Sequence, residues 1–272
     1  MGSFTIPASL VGGTRRPRVM IVGVGGTGSH FAEAFARLQH TVMALGHPGF
    51  EVTLVDGDRV SQSNVGRQRF YASDTGLSKA LCLVHRINMA FGFDWEASHG
   101  YFKPKSLGDV RTPDLLVICT DKALLRAEIG SHMAKRPSEA LWADFGNGAA
   151  KGQVCLGHLG KPAASERLPN VFDLYPELSQ MERADREEPS CSMAEAITRQ
   201  EFPINQQVAQ LGIALLWTLL RKGSLDHHGY FVETTPFVQT RPMMIDPVAW
   251  SFYGYEAPKA ARRARAKRAA AG

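Results

Sequence analysis

The chain has 272 residues, 44% of them hydrophobic and 9% aromatic, which suits a globular protein with a sizeable core. No run of about 18 uncharged apolar residues occurs and the first residues lack the pattern of a secretory leader, so no membrane span is expected and a cytoplasmic location is. The net charge of +5 hints at nucleic acid only until it is located: of 31 basic residues, six lie between Ala257 and Gly272 with no acidic neighbour, leaving 25 against 26 acidic residues elsewhere.

That basic stretch, 257–272, reads as a disordered, solubilising tail, with contact to nucleic acid or an acidic partner as the alternative. Cys82, Cys119, Cys155 and Cys191 stand singly, which suggests neither a disulfide framework nor a CxxC pair.

Residues 1–17 carry Pro7, Pro17 and adjacent glycines, and read as a loose arm with at most a short strand; Arg15 and Arg16 read as surface charge. Arg18 to Val22 is a short apolar strand that runs into Gly23-Val24-Gly25-Gly26-Thr27-Gly28 and then a helical pattern from Ser29 to Leu45. Gly23 permits the tight bend, glycine at 25 or 26 allows close approach to an anion, and Gly28 lets the helix pack on its strand. Nicotinamide and flavin enzymes use the same turn, so the turn alone does not choose between nucleotides.

The second strand, Glu51 to Val55, ends in Asp56-Gly57-Asp58, where an acid can accept hydrogen bonds from ribose hydroxyls. The next connection carries Asn64, Arg67, Gln68 and Lys79. A dinucleotide has no evident need of them, whereas a triphosphate that must be gripped and polarised does, and this points to ATP. A helical pattern from Ala80 to Asn88 follows, then a short strand within 95–101 and an almost continuous apolar strand from Asp114 to Cys119. Thr120-Asp121 leads into a helix over 122–136, and 141–145 and 153–158 add two strands, the latter antiparallel. The alternation predicts an α/β fold: a doubly wound, Rossmann-like, mostly parallel sheet with helices on both faces and an antiparallel extension, its ligand at the carboxyl ends where Gly23, Asp56 and Asp121 fall.

Residues 160–190, with four prolines and charges clustered at 182–188, read as a long mobile crossover loop covering the site. A helix over 202–221 is apolar nearly all round and belongs in the core or a subunit interface. One or two strands are expected over 230–240, and His227-His228 reads as a turn rather than a metal site.

Taken in order and spacing, Gly23-x-Gly25-Gly26-x-Gly28, Asp56-x-Asp58, Ser63-Asn64-x-x-Arg67-Gln68, Gly76-x-x-Lys79 and Thr120-Asp121 resemble the ThiF/MoeB superfamily, bacterial relatives of the ubiquitin-activating enzymes. The chain length, Pro189-Ser190-Cys191 and Gln200-Glu201-x-x-Ile204-Asn205 look most like the ThiF-family protein of the PRTRC plasmid cassette. The resemblance implies an ATP-binding domain over 18–256 that adenylates the C-terminal carboxylate of a small ubiquitin-like or sulfur-carrier β-grasp protein, using magnesium, in a homodimer. It assigns Asp56 to the ribose, Arg67 and Lys79 to the phosphates, Asn64 to backbone or phosphate, Gln68 to support and Asp121 to magnesium, with an N-cap as the competing role of Asp121. Asp58 joins the nucleotide-binding set, although a turn explains it almost as well. Cys191 could accept the acyl group as a thioester, although Glu187 and Glu188 would raise its pKa. Relatives carry zinc on two CxxC pairs that this sequence lacks, so no structural zinc is expected. A nicotinamide oxidoreductase and a scaffold of a plasmid-maintenance complex docked on DNA through its tail are the other two readings.

Overall fold

The computed structural model describes residues 2–13, 15–108, 112–163, 166–180 and 201–257. Cys191, residues 181–190 of the expected crossover loop and the basic stretch from 258 onward lie outside them. Ten strands are described. β2 (Arg18–Val22), β3 (Glu51–Val55), β4 (Glu96–Ser98), β5 (Leu115–Ile118) and β6 (Leu141–Asn147) form the parallel part of an eight-stranded sheet. β7 (Lys151–His158), β9 (His227–Glu233) and β10 (Gln239–Met244) extend it antiparallel, in the order β10-β9-β7-β6-β5-β2-β3-β4. The doubly wound α/β reading with an antiparallel extension is what the chain adopts.

Alternation along β5 explains why this strand is apolar throughout. Leu115 and Val117 join the core formed with α2 (Gly26–Ala44), α3 (Lys79–Phe91) and α6 (Ile204–Lys222), through Phe31, Phe35, Leu83, Val208 and Leu215. Leu116 and Ile118 join the opposite core with α4 (Ala123–Met133) and α5 (Val171–Leu174), through Ile129, Met133 and Val171. The apolar helix at 204–222 is thus a core element, its stripe of Ile204, Val208, Leu215 and Leu219 packed on α2 and the sheet.

Four local expectations change. The helix after the glycine turn begins at Gly26, not Ser29, so the turn itself forms its first residues. The helix after Asp121 is shorter than expected, Ala123–Met133. The N-terminal residues are docked rather than loose: β1 (Phe4–Thr5) pairs with β8 (Ser224–Leu225), α1 (Ala8–Val11) follows, and Phe4 and Leu10 are buried. His227 and His228 sit in β9, not a turn, because β9 carries the sheet outward beside β7 and places His228 in the core. No helix among the described residues is long and apolar enough to cross a membrane.

Candidate active site

The glycine turn lies at the carboxyl ends of β2, β3 and β5. Gly23, at φ 81°, donates its N–H to Val55 O at 2.9 Å, and a β-carbon there would stand 2.7 Å from the Thr120 methyl. A β-carbon on Gly28 would fall 1.8 Å from Gly23 O, so only glycine lets α2 start this close to its strand. Of the two glycines expected to leave room for an anion, Gly25 is the open one, with nothing nearer than the Gln68 amide at 3.8 Å. The space in front of Gly26 is filled by the Asn205 amide.

Asp56 holds the turn from the side. Its Oδ2 accepts from Val24 N–H at 2.7 Å and its Oδ1 from Asp58 N–H at 2.8 Å. Burial nevertheless lifts its carboxyl above the usual range. Asp58 is more than a turn residue, since its Oδ2 accepts from Lys79 Nζ at 3.0 Å and its Oδ1 from the Tyr101 hydroxyl at 3.1 Å. Burial pushes the Asp58 carboxyl up, but the hydrogen bond and charge of Lys79 outweigh it and hold the group below its ordinary value. Lys79, on the first turn of α3, is itself buried.

Arg67 is half-buried, its Nε has no hydrogen-bond partner among the described residues, and burial draws its pKa below the usual guanidinium range. Gln68, beside it, is buried with Oε1 equally unpartnered, and so is Thr120 Oγ1 across the turn. Asn64 is turned inward: its Oδ1 accepts from Ser61 N–H at 2.9 Å, closing the single turn that delivers Arg67 and Gln68. Asp121 is exposed just ahead of α4, whose N-cap is Lys122 with no side-chain cap, so the competing N-cap role of Asp121 is not adopted. Among the described residues no group of three His, Cys, Asp or Glu side chains is placed to hold a metal ion. Magnesium needs only one or two carboxylates when phosphates supply further ligands, so an isolated Asp121 beside a triphosphate is a compatible donor set.

Several residues at this end carried no sequence signal. Tyr101, 69% exposed, lies over Gly57, where a β-carbon would meet its ring at 2.8 Å, and Lys122 Nζ stands 5.1 Å from the ring centroid. Arg126 on α4 and Asp144 on β6 form a buried ion pair, Nε to both carboxylate oxygens at 2.8 and 2.9 Å, with Nη2 donating to Phe145 O. Burial raises the Asp144 carboxyl and Arg126 opposes it. Thr120 alone had a cue, its place next to Asp121. Burial lifts the thiols of Cys119 and Cys155 above their ordinary value, and Cys82 is raised in the same direction.

Solved structures share this architecture. PaaA superposes with a TM-score of 0.58 at 16% identity, covering 84% of this chain and 64% of its own. Escherichia coli MccB solved with ATP gives 0.55 at 16% identity, covering 85% and 65%, and MccB solved with MccA-N7isoASN gives 0.56 at 18%, covering 85% and 66%. The chain therefore spans just under two thirds of the length of these proteins, and at such identities the likeness speaks for the fold. No curated protein matches the chain with significance. The sequence profile of the ThiF family matches residues 11–247, most of the chain and all of the site described above, and the chain belongs to the ThiF family.

Proposed function

We propose that this protein adenylates a carboxylate with ATP. One observation carries the reading: Arg67 Nε, Gln68 Oε1 and Thr120 Oγ1, three of the five buried side-chain polar atoms left without partners among the described residues, belong to segments bordering one glycine turn. An unsatisfied buried polar group costs about 1–3 kcal/mol, so such a group is retained where a ligand completes it. A half-buried cation, a second cation on α3 and an open Gly25 together suit an anion, and the family supplies its kind.

The substrate carboxylate attacks the α-phosphorus, the bond from that phosphorus to the bridging oxygen breaks, and pyrophosphate leaves with that oxygen. The nucleophile is already ionised near neutral pH, so no general base is required. Arg67 and Lys79 neutralise the phosphates, the amides at the start of α2 face them, and Asp56 accepts from the ribose. Lys79 would exchange its Asp58 partner for phosphate oxygen. Asp121 would hold magnesium, which supplies charge neutralisation along the triphosphate.

The partner in this reading is a small β-grasp protein of ubiquitin-like or sulfur-carrier type, presented to a homodimer of the PRTRC branch, with Cys191 as acceptor of a thioester. The complexes of MccB with MccA support a small protein or peptide as the carrier of the carboxylate. The test is ATP–pyrophosphate exchange with magnesium and candidate β-grasp proteins. Exchange that requires the partner and disappears in Lys79→Ala and Asp121→Ala is expected; exchange that survives both substitutions would sink the assignment of these roles.

A further inference from the structure

Asn205 is the second residue of α6, 178 positions after Thr27, yet its side chain lies against the glycine turn. Its Oδ1 accepts from the Thr27 hydroxyl at 3.0 Å and from Asn147 Nδ2, at the carboxyl end of β6, at 2.7 Å. Asn205 is 4% exposed, and Thr27 is buried to the same degree. A β-carbon on Gly26 would stand 2.6 Å from Asn205 Oδ1, 2.9 Å from its Cγ and 3.1 Å from its Nδ2. All three amide atoms therefore crowd the position that a β-carbon on Gly26 would take. Gly26 has no room for a side chain because of Asn205, whereas a β-carbon on Gly25 would meet only the Gln68 amide, at 3.8 Å.

The consequence concerns the backbone amides at the start of α2, which begins at Gly26. Asp56 fixes the turn at Val24 N–H, from the β3 side. Asn205 fixes it two to three residues later, from the α6 side, and ties it to β6 through Asn147. A turn held at only one end would let the helix-start amides drift, and an electrostatic site loses its strength when its dipoles must reorganise around the charge.

We propose that Asn205 is a positioning residue for the triphosphate: it seats the Gly26–Thr27 end of the turn so that the helix-start amides are preset for the phosphates, without itself touching the nucleotide. This rests on the adenylation reading.

The test combines ATP affinity, thermal midpoint and exchange kinetics in the full chain. Asn205→Ala is expected to weaken ATP binding about tenfold, the value of roughly one buried hydrogen-bonded anchor, raising KM for ATP while leaving the KM for the carrier unchanged. Asn205→Asp keeps an acceptor for both Thr27 and Asn147 but adds a negative charge beside the turn. Its loss of affinity is expected to grow from AMP to ADP to ATP. Gly26→Ala, which drives a methyl into the amide, is expected to lose more affinity in the wild-type background than in an Asn205→Ala background, where the space has been opened. That non-additivity is a readout a generally destabilising change would not give. Wild-type chain that binds ATP while Asn205→Ala binds it equally well, or a Gly26→Ala penalty of the same size in both backgrounds, overturns the role of Asn205 alone. Wild-type chain that binds no ATP overturns the adenylation reading and this proposal with it.

Discussion

The two halves of the sheet treat their buried polar groups differently. In the antiparallel half they are closed on one another. His228 donates from Nδ1 to Leu156 O at 2.8 Å and accepts at Nε2 from the Trp250 indole at 2.9 Å, the Tyr175 hydroxyl donates to Gln153 Oε1 at 2.6 Å, and His158 Nδ1 accepts from Leu168 N–H at 2.8 Å. In the parallel half, at the carboxyl ends of β2, β3 and β5, Arg67, Gln68 and Thr120 are left open. Among the described residues Ser78 Oγ and Trp142 Nε1 are the other buried side-chain polar atoms without a partner, so the contrast is one of degree: the antiparallel half closes the groups named above, and in the adenylation reading the open groups at the parallel end serve a ligand.

Substitutions can break this contrast, and the largest effect is expected at the open end. Lys79→Ala should lower the exchange rate on the order of 100-fold or more while moving the thermal midpoint little, because the Asp58 side chain it abandons is half exposed and returns to water. A matching collapse of the thermal midpoint would mean that Lys79 is structural and that the division fails there. On stability rather than rate, the largest effect is expected at the closed ion pair beneath the site. Asp144→Ala leaves Arg126 buried without its counterion and should cost about 3–5 kcal/mol in chemical denaturation; a loss below about 1 kcal/mol would show that water reaches Arg126.

A third test uses acid. Burial holds the His228 imidazole down to about 4, from an ordinary value near 6.5, so the unfolded chain binds this proton more readily than the fold does. Its contribution is intact above pH 6.5 and is lost as pH falls towards 4, on the order of 3 kcal/mol over that window. His158, lowered to about 4 chiefly by burial, acts in the same direction. His228→Phe should therefore be less stable near neutrality yet show a flatter acid limb when the thermal midpoint is followed from pH 7 to 4.5; an unchanged slope would remove His228 from the acid response. The smallest effect belongs to the surface. Arg15 reaches Asp114 at 2.7 Å but is half exposed, and Arg15→Ala should change stability by less than about 1 kcal/mol.

Local pattern carried much of this protein. A short, mostly apolar strand, a run of glycines and an acid at the end of the next strand specify a βαβ unit with a glycine turn, because strand period and turn geometry are decided within about thirty residues. Arg67, Gln68 and Lys79 lie on one connection, so spacing along the chain keeps them close to one another; the structure sets the Gln68 amide beside Gly25 and Lys79 on the first turn of α3. The four apolar residues of β5 announced a strand covered on both faces, and the structure covers it on both.

What remained hidden depends on contacts between distant segments. Neither His227-His228 nor its surroundings show that β9 inserts beside β7, so the pair reads as a turn until the sheet is assembled around it. Gly25 and Gly26 are equivalent in sequence, and only the arrival of Asn205 from α6 separates the glycine left open from the one that is filled. Arg126 and Asp144 look like ordinary surface charges on a helix and a strand until packing removes both from water. Sequence determined the strands and helices of the parallel half and the residue types at its carboxyl end, since those follow from neighbours along the chain. Tertiary structure alone decided which polar groups are satisfied and which stay open, because a buried partner is chosen by proximity in space.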